Sequence, residues 1–457
     1  MKGIKKIAAL VLALVMMATV VGCGGTKKAE NQPAPTENKE KIFVFARGGD
    51  ASGLDPINVT DGESLYVTQQ IFDTLLEYED DSTEVKPSLA TEWENSKDGK
   101  EWTLKLKQGV KFHDGTPFNA EAVKFNFDRW RDEKNPYHKG DFAYYPTMFG
   151  GFPGIIKDVV VVDEYTVKFV LTTPQAPFLA NLAMATFGIS SPEAIKKYGD
   201  DYFKNPVGTG PFKFVKWEKD QQIVVAKNAD YWGDKAKVDQ IVFRVIPDNS
   251  ARFLELKAGT IDAMVGLNPD DVESVKGDAN LQLLLRPSMN VGYMALNMEK
   301  KPLDNQKVRQ AINHAINKQA LIDAFYAGLA KTAKNPLPPS LWGYNDKVKG
   351  YEYDPAKAKA LLAEAGFPNG FEIKLWAMPV ARPYMPQPKE IGQAIQQDLA
   401  KVGIKATIVT YDWSTYLQKG ESGEPELYLI GWTGDNGDPD NFLYALLHKN
   451  NTVKGSA

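Results

Sequence analysis

The texture of this chain changes once along its length, and that change limits the folds open to it. From Ile42 to Val245 short β-branched or aromatic runs follow one another closely: Ile42–Phe45, Trp102–Leu106, Asp158–Val162, Thr166–Leu171, Phe212–Trp217, Gln222–Ala226 and Gln240–Val245. Turn residues such as Asp98-Gly99-Lys100 and Asp163-Glu164 join several of them as hairpins. Beyond Arg286–Asn290 strands alternate with helices. Asp304 is the expected N-cap of a helix over Asn305–Ala315, whose Val308, Ala311, Ile312 and Ala315 recur at 3/4 spacing. Pro355 opens a second helix, which Gly366 ends. A third, Gln387–Val402, stops at Gly403 and leads into the strand Lys405–Thr410. The pattern predicts an α/β protein with a large α+β lobe I over 42–287 and an α/β lobe II over 288–457, with the crossing at 286–290. No internal repeat is visible.

The N-terminus reads as an export signal. Lys2, Lys5 and Lys6 precede an apolar run from Ile7 to Val21, too short for a comfortable membrane span. Val20-Val21-Gly22-Cys23 then matches the lipobox of bacterial lipoproteins, where the thiol is acylated. The alternative is an ordinary signal peptide that happens to contain a cysteine. Cys23 is the single cysteine of the chain, so a structural disulfide or catalytic thiol has no residue to use. The expectation is a signal peptide over 1–22 and a polar, Pro-interrupted tether over 23–41 that cannot offset its ordering entropy. Such a tether keeps a domain beside the membrane without embedding it. Stable anchoring takes more than one acyl chain, which the lipoprotein pathway supplies.

Removing the first 22 residues takes away three lysines and no acid, moving the net charge from −4 to −7. A mildly acidic surface argues against nucleic acid as the partner. The 9 Trp and 19 Tyr can line a cleft or fill a large core equally well.

Catalytic and metal signatures are missing from the sequence. There is no Gly-x-Ser-x-Gly elbow, no His-Glu-x-x-His and no Walker A loop. Gly208-Thr209-Gly210-Pro211 lacks the Lys-Ser/Thr of a phosphate loop, and its proline removes a donor, so it reads as a tight turn. His113, His138, His314 and His448 show no metal-ligand spacing. Counted from Asp435, the segment Asp435-Asn436-Gly437-Asp438-Pro439-Asp440-Asn441 fails the calcium-loop pattern. Two readings stay open for it: an Asx-rich turn, or a turn that presents a ligand-binding carboxylate.

Arg382 in Met378-Pro379-Val380-Ala381-Arg382-Pro383-Tyr384 and Asp435 in Gly431-Trp432-Thr433-Gly434-Asp435 offer a fixed cation and a fixed anion. Guanidinium presents a planar fork to a carboxylate. A shielded carboxylate suits an ammonium. Together they fit the two ends of a small zwitterion.

These segments resemble the ligand-clamping motifs of periplasmic dipeptide-binding proteins, within solute-binding protein family 5 of the ABC importers. The blocks Leu89–Gly115, Asn205–Phe212 and Asp304–Lys318 resemble parts shared by the whole family, and the match runs from about Ile42 to Leu447. The resemblance implies a two-lobed periplasmic-binding-protein-like fold of the large class, with an extra subdomain in lobe I. It also implies that Arg382 pairs with a peptide carboxylate and Asp435 with its ammonium. Pro383, Tyr384, Trp432, Thr433 and Gly434 are the implied flanking contacts, Thr60-Asp61-Gly62 the contact loop from lobe I, and Trp413 a cleft aromatic. The implied protein is a monomeric, non-enzymatic, extracytoplasmic lipoprotein without cofactor or metal. It takes a dipeptide and delivers it to a permease–ATPase complex, with the membrane reached through Cys23. Other family solutes (a longer oligopeptide, a nickel chelate, haem) are the alternative, and an extracellular hydrolase is the alternative from another class. Family members continue past the Asp-Pro-Asp-Asn-Phe motif and return to lobe I, whereas this sequence stops at Ala457, so the C-terminal part of the fold is expected to be missing.

Overall fold

The computed structural model describes residues 40–449 except Asp81 and Pro287. The expected signal peptide, Cys23, most of the tether and the last eight residues lie outside the described residues. Among the described residues no helix is long and apolar enough to cross a membrane.

The first described strand begins at Ile42, where the polar tether sequence ends. The Lys41 amide donates to Asp239 Oδ2 at 2.9 Å, and the strand Ile42–Arg47 then runs parallel to Gln240–Val245 and to Ala263–Met264. Antiparallel additions by Gln222–Lys227 and Phe212–Glu218 complete a mixed five-stranded sheet. Alternation along these strands turns Phe243, Ile223 and Val225 onto Val67 and Ile71 of the helix Gly62–Ile71.

A second sheet in the first half of the chain is antiparallel and four-stranded: Glu101–Leu106 lies between Ala90–Asn95 and Thr166–Leu171, with Ile156–Asp163 outermost. Its turn needs a left-handed residue at Gly99 (φ 72°), as the Asp-Gly pair predicts. Aromatic rings hold its core: Phe127 meets Phe169 edge-on at 4.7 Å, and Phe169 meets Phe178 at 5.5 Å. The Gly208–Pro211 turn is structural. The Gly210 amide donates to Ile71 O at 2.9 Å, and a Cβ at Gly208 would strike that same carbonyl.

The later half forms a separate sheet. Asn290–Leu296 pairs antiparallel with Leu427–Thr433, which runs parallel to Glu372–Trp376, itself parallel to Lys405–Val409. The helix Pro388–Lys401 makes the crossover between the last two, with Ile391, Ile395 and Leu399 on its buried face. The expected cap at Asp304 needs correcting by one residue. Asn305 caps the helix Gln306–Ala315, its side chain accepting from the Lys307 amide at 2.9 Å. Asp304 instead lies 3.5 Å from Lys301 as an ion pair. Both are Asx residues, and the one with extended backbone at the junction takes the role. His314 on this helix is packed, its Nδ1 2.8 Å from the Glu352 carbonyl oxygen.

Candidate functional site

Strands from the first half of the chain do not pair with strands from the second half among the described residues, and an open cleft of about 4510 Å³ is lined by both. Thr60, Asp61 and Gly62 reach it from the first half. Arg382, Pro383, Tyr384, Trp413, Trp432, Thr433 and Asp435 reach it from the second. Gly434 stands behind the wall, where a Cβ would press on the Phe442 ring at 2.7 Å.

The cationic end rests on a saddle of two glycines. Gly292 and Gly431 face each other in register across the antiparallel pair. A Cβ at Gly431 would clash with the Tyr384 ring, and one at Gly292 would meet the Tyr384 carbonyl. With hydrogen there instead, Tyr384 lies flat against the strand that carries Trp432 and Thr433. Tyr384 is also tied by its carbonyl, which accepts from the Tyr326 hydroxyl at 2.9 Å. Two backbone bonds between Arg382 and Met385, 3.0 and 2.9 Å, close the reversal with Pro383-Tyr384 at its tip. Proline loses nothing at a position whose amide has no strand to join. The half-buried Arg382 guanidinium then lies over the Trp413 ring, 4.2 Å from its centroid, and makes no ion pair among the described residues. Trp413 is placed by the start of the helix Trp413–Glu421, which Asp412 caps through the Thr415 amide at 3.1 Å.

The anionic end is built where the strand Leu427–Thr433 runs out. The Gly434 amide donates to Met289 O at 2.7 Å, and the chain then turns. Asn441 folds back over this turn. Its Oδ1 accepts from the Asp435 amide at 3.0 Å and from Trp432 Nε1 at 3.1 Å. Asp438 stabilises the same turn by accepting from the Asp440 amide at 2.8 Å. The two readings of this segment therefore coexist: an Asx-rich turn holds itself together and presents Asp435. The Asp435 Oδ1 accepts from the Tyr144 hydroxyl at 2.8 Å, across from the first half of the chain. Its Oδ2 is shut off from solvent and has no partner among the described residues. Burial pushes the Asp435 carboxyl up to about 6, against the opposing pull of the bonds from Tyr144 and Asn441. Burial, and next the Asp435 charge, hold Tyr144 well above the usual phenol range, so it remains a donor.

Asp61 has a structural job. It caps the helix Gly62–Ile71, with Oδ1 accepting from the Ser64 amide at 2.9 Å and Oδ2 from the hydroxyls of Ser52 and Ser64 at 2.7 and 2.8 Å. Thr60 and Gly62 beside it are exposed to the cleft. Sequence reasoning missed Tyr144, Asn441 and the Gly292 saddle. Gly431 in a β-rich run was a signal for close backbone approach, but its partner ring could not be read from spacing.

Residues 84–454 match the model of the bacterial extracellular solute-binding proteins, family 5. The chain is 44% identical to the dipeptide-binding protein of Escherichia coli over 91% of its own length and 80% of that protein's. It is 41% identical to heme-binding protein A of Haemophilus influenzae, over 97% and 84% of the two chains. Among solved structures, the ABC transporter-associated periplasmic binding protein DppA of Helicobacter pylori, in complex with the peptide STSA, superposes with a TM-score of 0.82 at 41% identity. That alignment covers 89% of this chain and 81% of that one. A dipeptide-binding protein from a Pseudoalteromonas species, in complex with Met-Leu, gives 0.84 at 33% identity over 88% and 82%. The chain thus belongs to the bacterial extracellular solute-binding proteins of family 5 and has their two-lobed, periplasmic-binding-protein-like α/β fold.

Proposed function

We propose that this protein captures dipeptides outside the cytoplasmic membrane by their two charged ends and delivers them to an ABC permease. The single observation that carries the reading is the pair of opposite charges facing one cleft, neither of which makes an ion pair among the described residues. Asp435 keeps a buried, unpartnered Oδ2, and Arg382 has only a ring face beneath it. An ammonium at Asp435 and a carboxylate at Arg382 would complete both. The relatives named for dipeptides in Escherichia coli and Pseudoalteromonas support the same ligand class.

Binding is a matter of substituting solvent. The buried Asp435 has already lost most of its water, so a ligand ammonium gains a charge-assisted bond there without much further desolvation of the protein. Arg382 offers its fork from a rigid turn, which lowers the ordering cost on association. Thr60 and Gly62 of the opposite wall supply backbone and hydroxyl contacts once the lobes, assigned to 42–287 and 288–457, approach. Acylation at Cys23 would keep this cycle beside the permease.

Titration calorimetry tests the reading with a panel of a free dipeptide, its N-acetylated form, a single amino acid, a tetrapeptide and haemin. Tight binding of the free dipeptide and weak binding of the acetylated form and the amino acid is the expected result. Equal affinity for acetylated and free dipeptide, or binding of haemin alone, would overturn it.

A further inference from the structure

One charged group in the cleft wall has no role in the clamp described above. Glu63 stands in the first turn of the helix Gly62–Ile71, directly after the Thr60–Gly62 loop, and lines the cleft. Its carboxylate accepts no hydrogen bond among the described residues, and its Oε2 is buried without a partner. Leaving a shielded carboxylate oxygen bare is unfavourable, so its surroundings must be accounted for group by group.

Three guanidiniums act on it, and two of them are committed elsewhere. Arg47 is fully buried and pairs with Asp50 at 3.1 Å, while its Nη1 donates to the Glu63 backbone oxygen at 2.6 Å. Arg252 is solvated by neutral oxygens: the carbonyls of Ile246, Pro247 (3.0 Å) and Val265 (3.1 Å), and the Asn249 side chain. Arg252 and Glu63 converge over Gly48, where a Cβ would lie 3.4 Å from Arg252 Nη1 and 3.6 Å from Glu63 Oε1. The third is Arg382, from the opposite wall. Burial raises the Glu63 carboxyl, and Arg47 and then Arg382 are the leading charges that oppose it.

A ligand carboxylate changes this balance, because it takes Arg382. The cations at that end of the cleft are then Arg47, Arg252, Arg382 and the exposed Arg286. The anions are Asp50, Asp61, Glu63 and the ligand carboxylate. The charges then balance in number, and Glu63 is the carboxylate with an oxygen to spare, since Asp61 is consumed as a helix cap and Asp50 is held by Arg47, Trp217 and two backbone amides.

We infer that Glu63 makes the site select a cationic side chain on the ligand residue that bears the free carboxylate. The inference rests on the dipeptide reading, and specifically on Arg382 holding the carboxylate. It names the lysine- or arginine-ended dipeptide as the favoured substrate class. A lysine ammonium reaching Glu63 Oε2 supplies the absent partner of a shielded carboxylate oxygen.

The test is calorimetric titration of the full chain with Ala-Lys, Ala-norleucine and Lys-Ala at low ionic strength. Norleucine keeps the length of the lysine chain without its charge. The unaltered protein should bind Ala-Lys about tenfold more tightly than Ala-norleucine, the scale of one partly shielded ion pair. Lys-Ala should show no comparable advantage. In Glu63→Gln, and in Glu63→Ala should the first variant fold poorly, the Ala-Lys to Ala-norleucine ratio should fall to about one. A ratio near one in the unaltered protein, or a tenfold ratio that survives both substitutions, overturns the inference while leaving the dipeptide reading intact. Failure of all three peptides to bind the unaltered protein overturns the dipeptide reading and this inference together.

Discussion

Arg382 and Asp435 carry opposite charges, and the protein holds them in opposite ways. Arg382 is positioned entirely from within its own half of the chain, by a short reversal whose Tyr384 lies on the Gly292/Gly431 saddle. Its charge stays half-exposed over Trp413. Asp435 is positioned by both halves, through Asn441 on one side and Tyr144 on the other, and its Oδ2 is shielded before any ligand arrives. The cationic end is therefore rigid and solvated, and the anionic end shielded and dependent on how the halves meet. Loss of a solvated, geometry-defined cation should cost affinity alone. Loss of a shielded anion should cost affinity and relieve an unfavourable burial.

The largest expected effect follows at the cationic end. Arg382→Ala should weaken dipeptide binding by roughly 2–5 kcal/mol, because it leaves the ligand carboxylate without its partner. Arg382→Lys should recover only part, since an ammonium cannot reproduce the fork. Calorimetry on both variants, with thermal melts as a fold control, checks this. An unchanged Kd in Arg382→Ala would break the comparison at once.

Asp435→Asn should reduce affinity comparably but move stability the other way. Its folded-state carboxyl is raised to about 6, so the stability this group contributes is full below the unfolded value near 4 and is lost as pH rises through about 6. The amide variant avoids that loss. Ligand-free Asp435→Asn should thus be more stable than the parent at pH 8, by up to roughly 3 kcal/mol, with the gap closing below about pH 4. For binding the sign reverses, because the ammonium needs the ionised acid. Affinity should fall by up to about tenfold per pH unit below about pH 6 in the parent and stay flat in the variant. Melting temperatures at pH 4 and pH 8 and a pH series of titrations read both halves of the prediction.

Gly431→Ala probes the saddle. The added methyl would clash with the Tyr384 ring, which must shift in the turn that also carries Arg382. A loss of roughly 1–3 kcal/mol in stability, accompanied by weaker binding, is expected from overpacking. Unchanged Tm and Kd would show that the turn does not depend on this contact.

The smallest effect belongs to Tyr144→Phe. Removing the hydroxyl deletes a bond that lowers the Asp435 carboxyl value, so the pH at which affinity begins to fall should move upward. At pH 8 binding should weaken by only roughly 0.5–1.5 kcal/mol, the net worth of one hydrogen bond. A pH profile that coincides with the parent's would exclude Tyr144 as a positioning residue.

Much of the fold could be read from local signals. Strands such as Thr166–Leu171 and Gln240–Val245 have the ends their β-branched runs and turn residues indicate. The helix Pro355–Glu364 starts at its proline, and Gly366 beyond it has φ 91°. Where adjacent residues share a propensity, as Asp304 and Asn305 do, sequence alone could not choose the cap. At the site, Arg382 and Asp435 stood out because charge, proline and aromatic residues crowd their segments. Tyr144 was invisible, since an aromatic in a short helix of the first half carries no mark of a carboxylate 291 positions away. Glu63 looked like an ordinary first-turn acid until the commitments of Arg47 and Arg252 were known. Asp61 shows the converse. It lines the cleft, but its carboxylate serves the helix it begins.

The central claim is that two fixed charges recognise two ligand termini, and a cycle of two proteins against two ligands tests it most directly. Kd would be measured for the parent and Asp435→Asn, each with a free dipeptide and with its N-acetylated form, at pH 8. The account predicts that the parent strongly prefers the free dipeptide and that the preference nearly vanishes in Asp435→Asn, giving a coupling of roughly 1.5 kcal/mol or more between the residue and the ammonium. Equal discrimination by the two proteins would contradict it, because the ammonium would then be recognised somewhere other than Asp435.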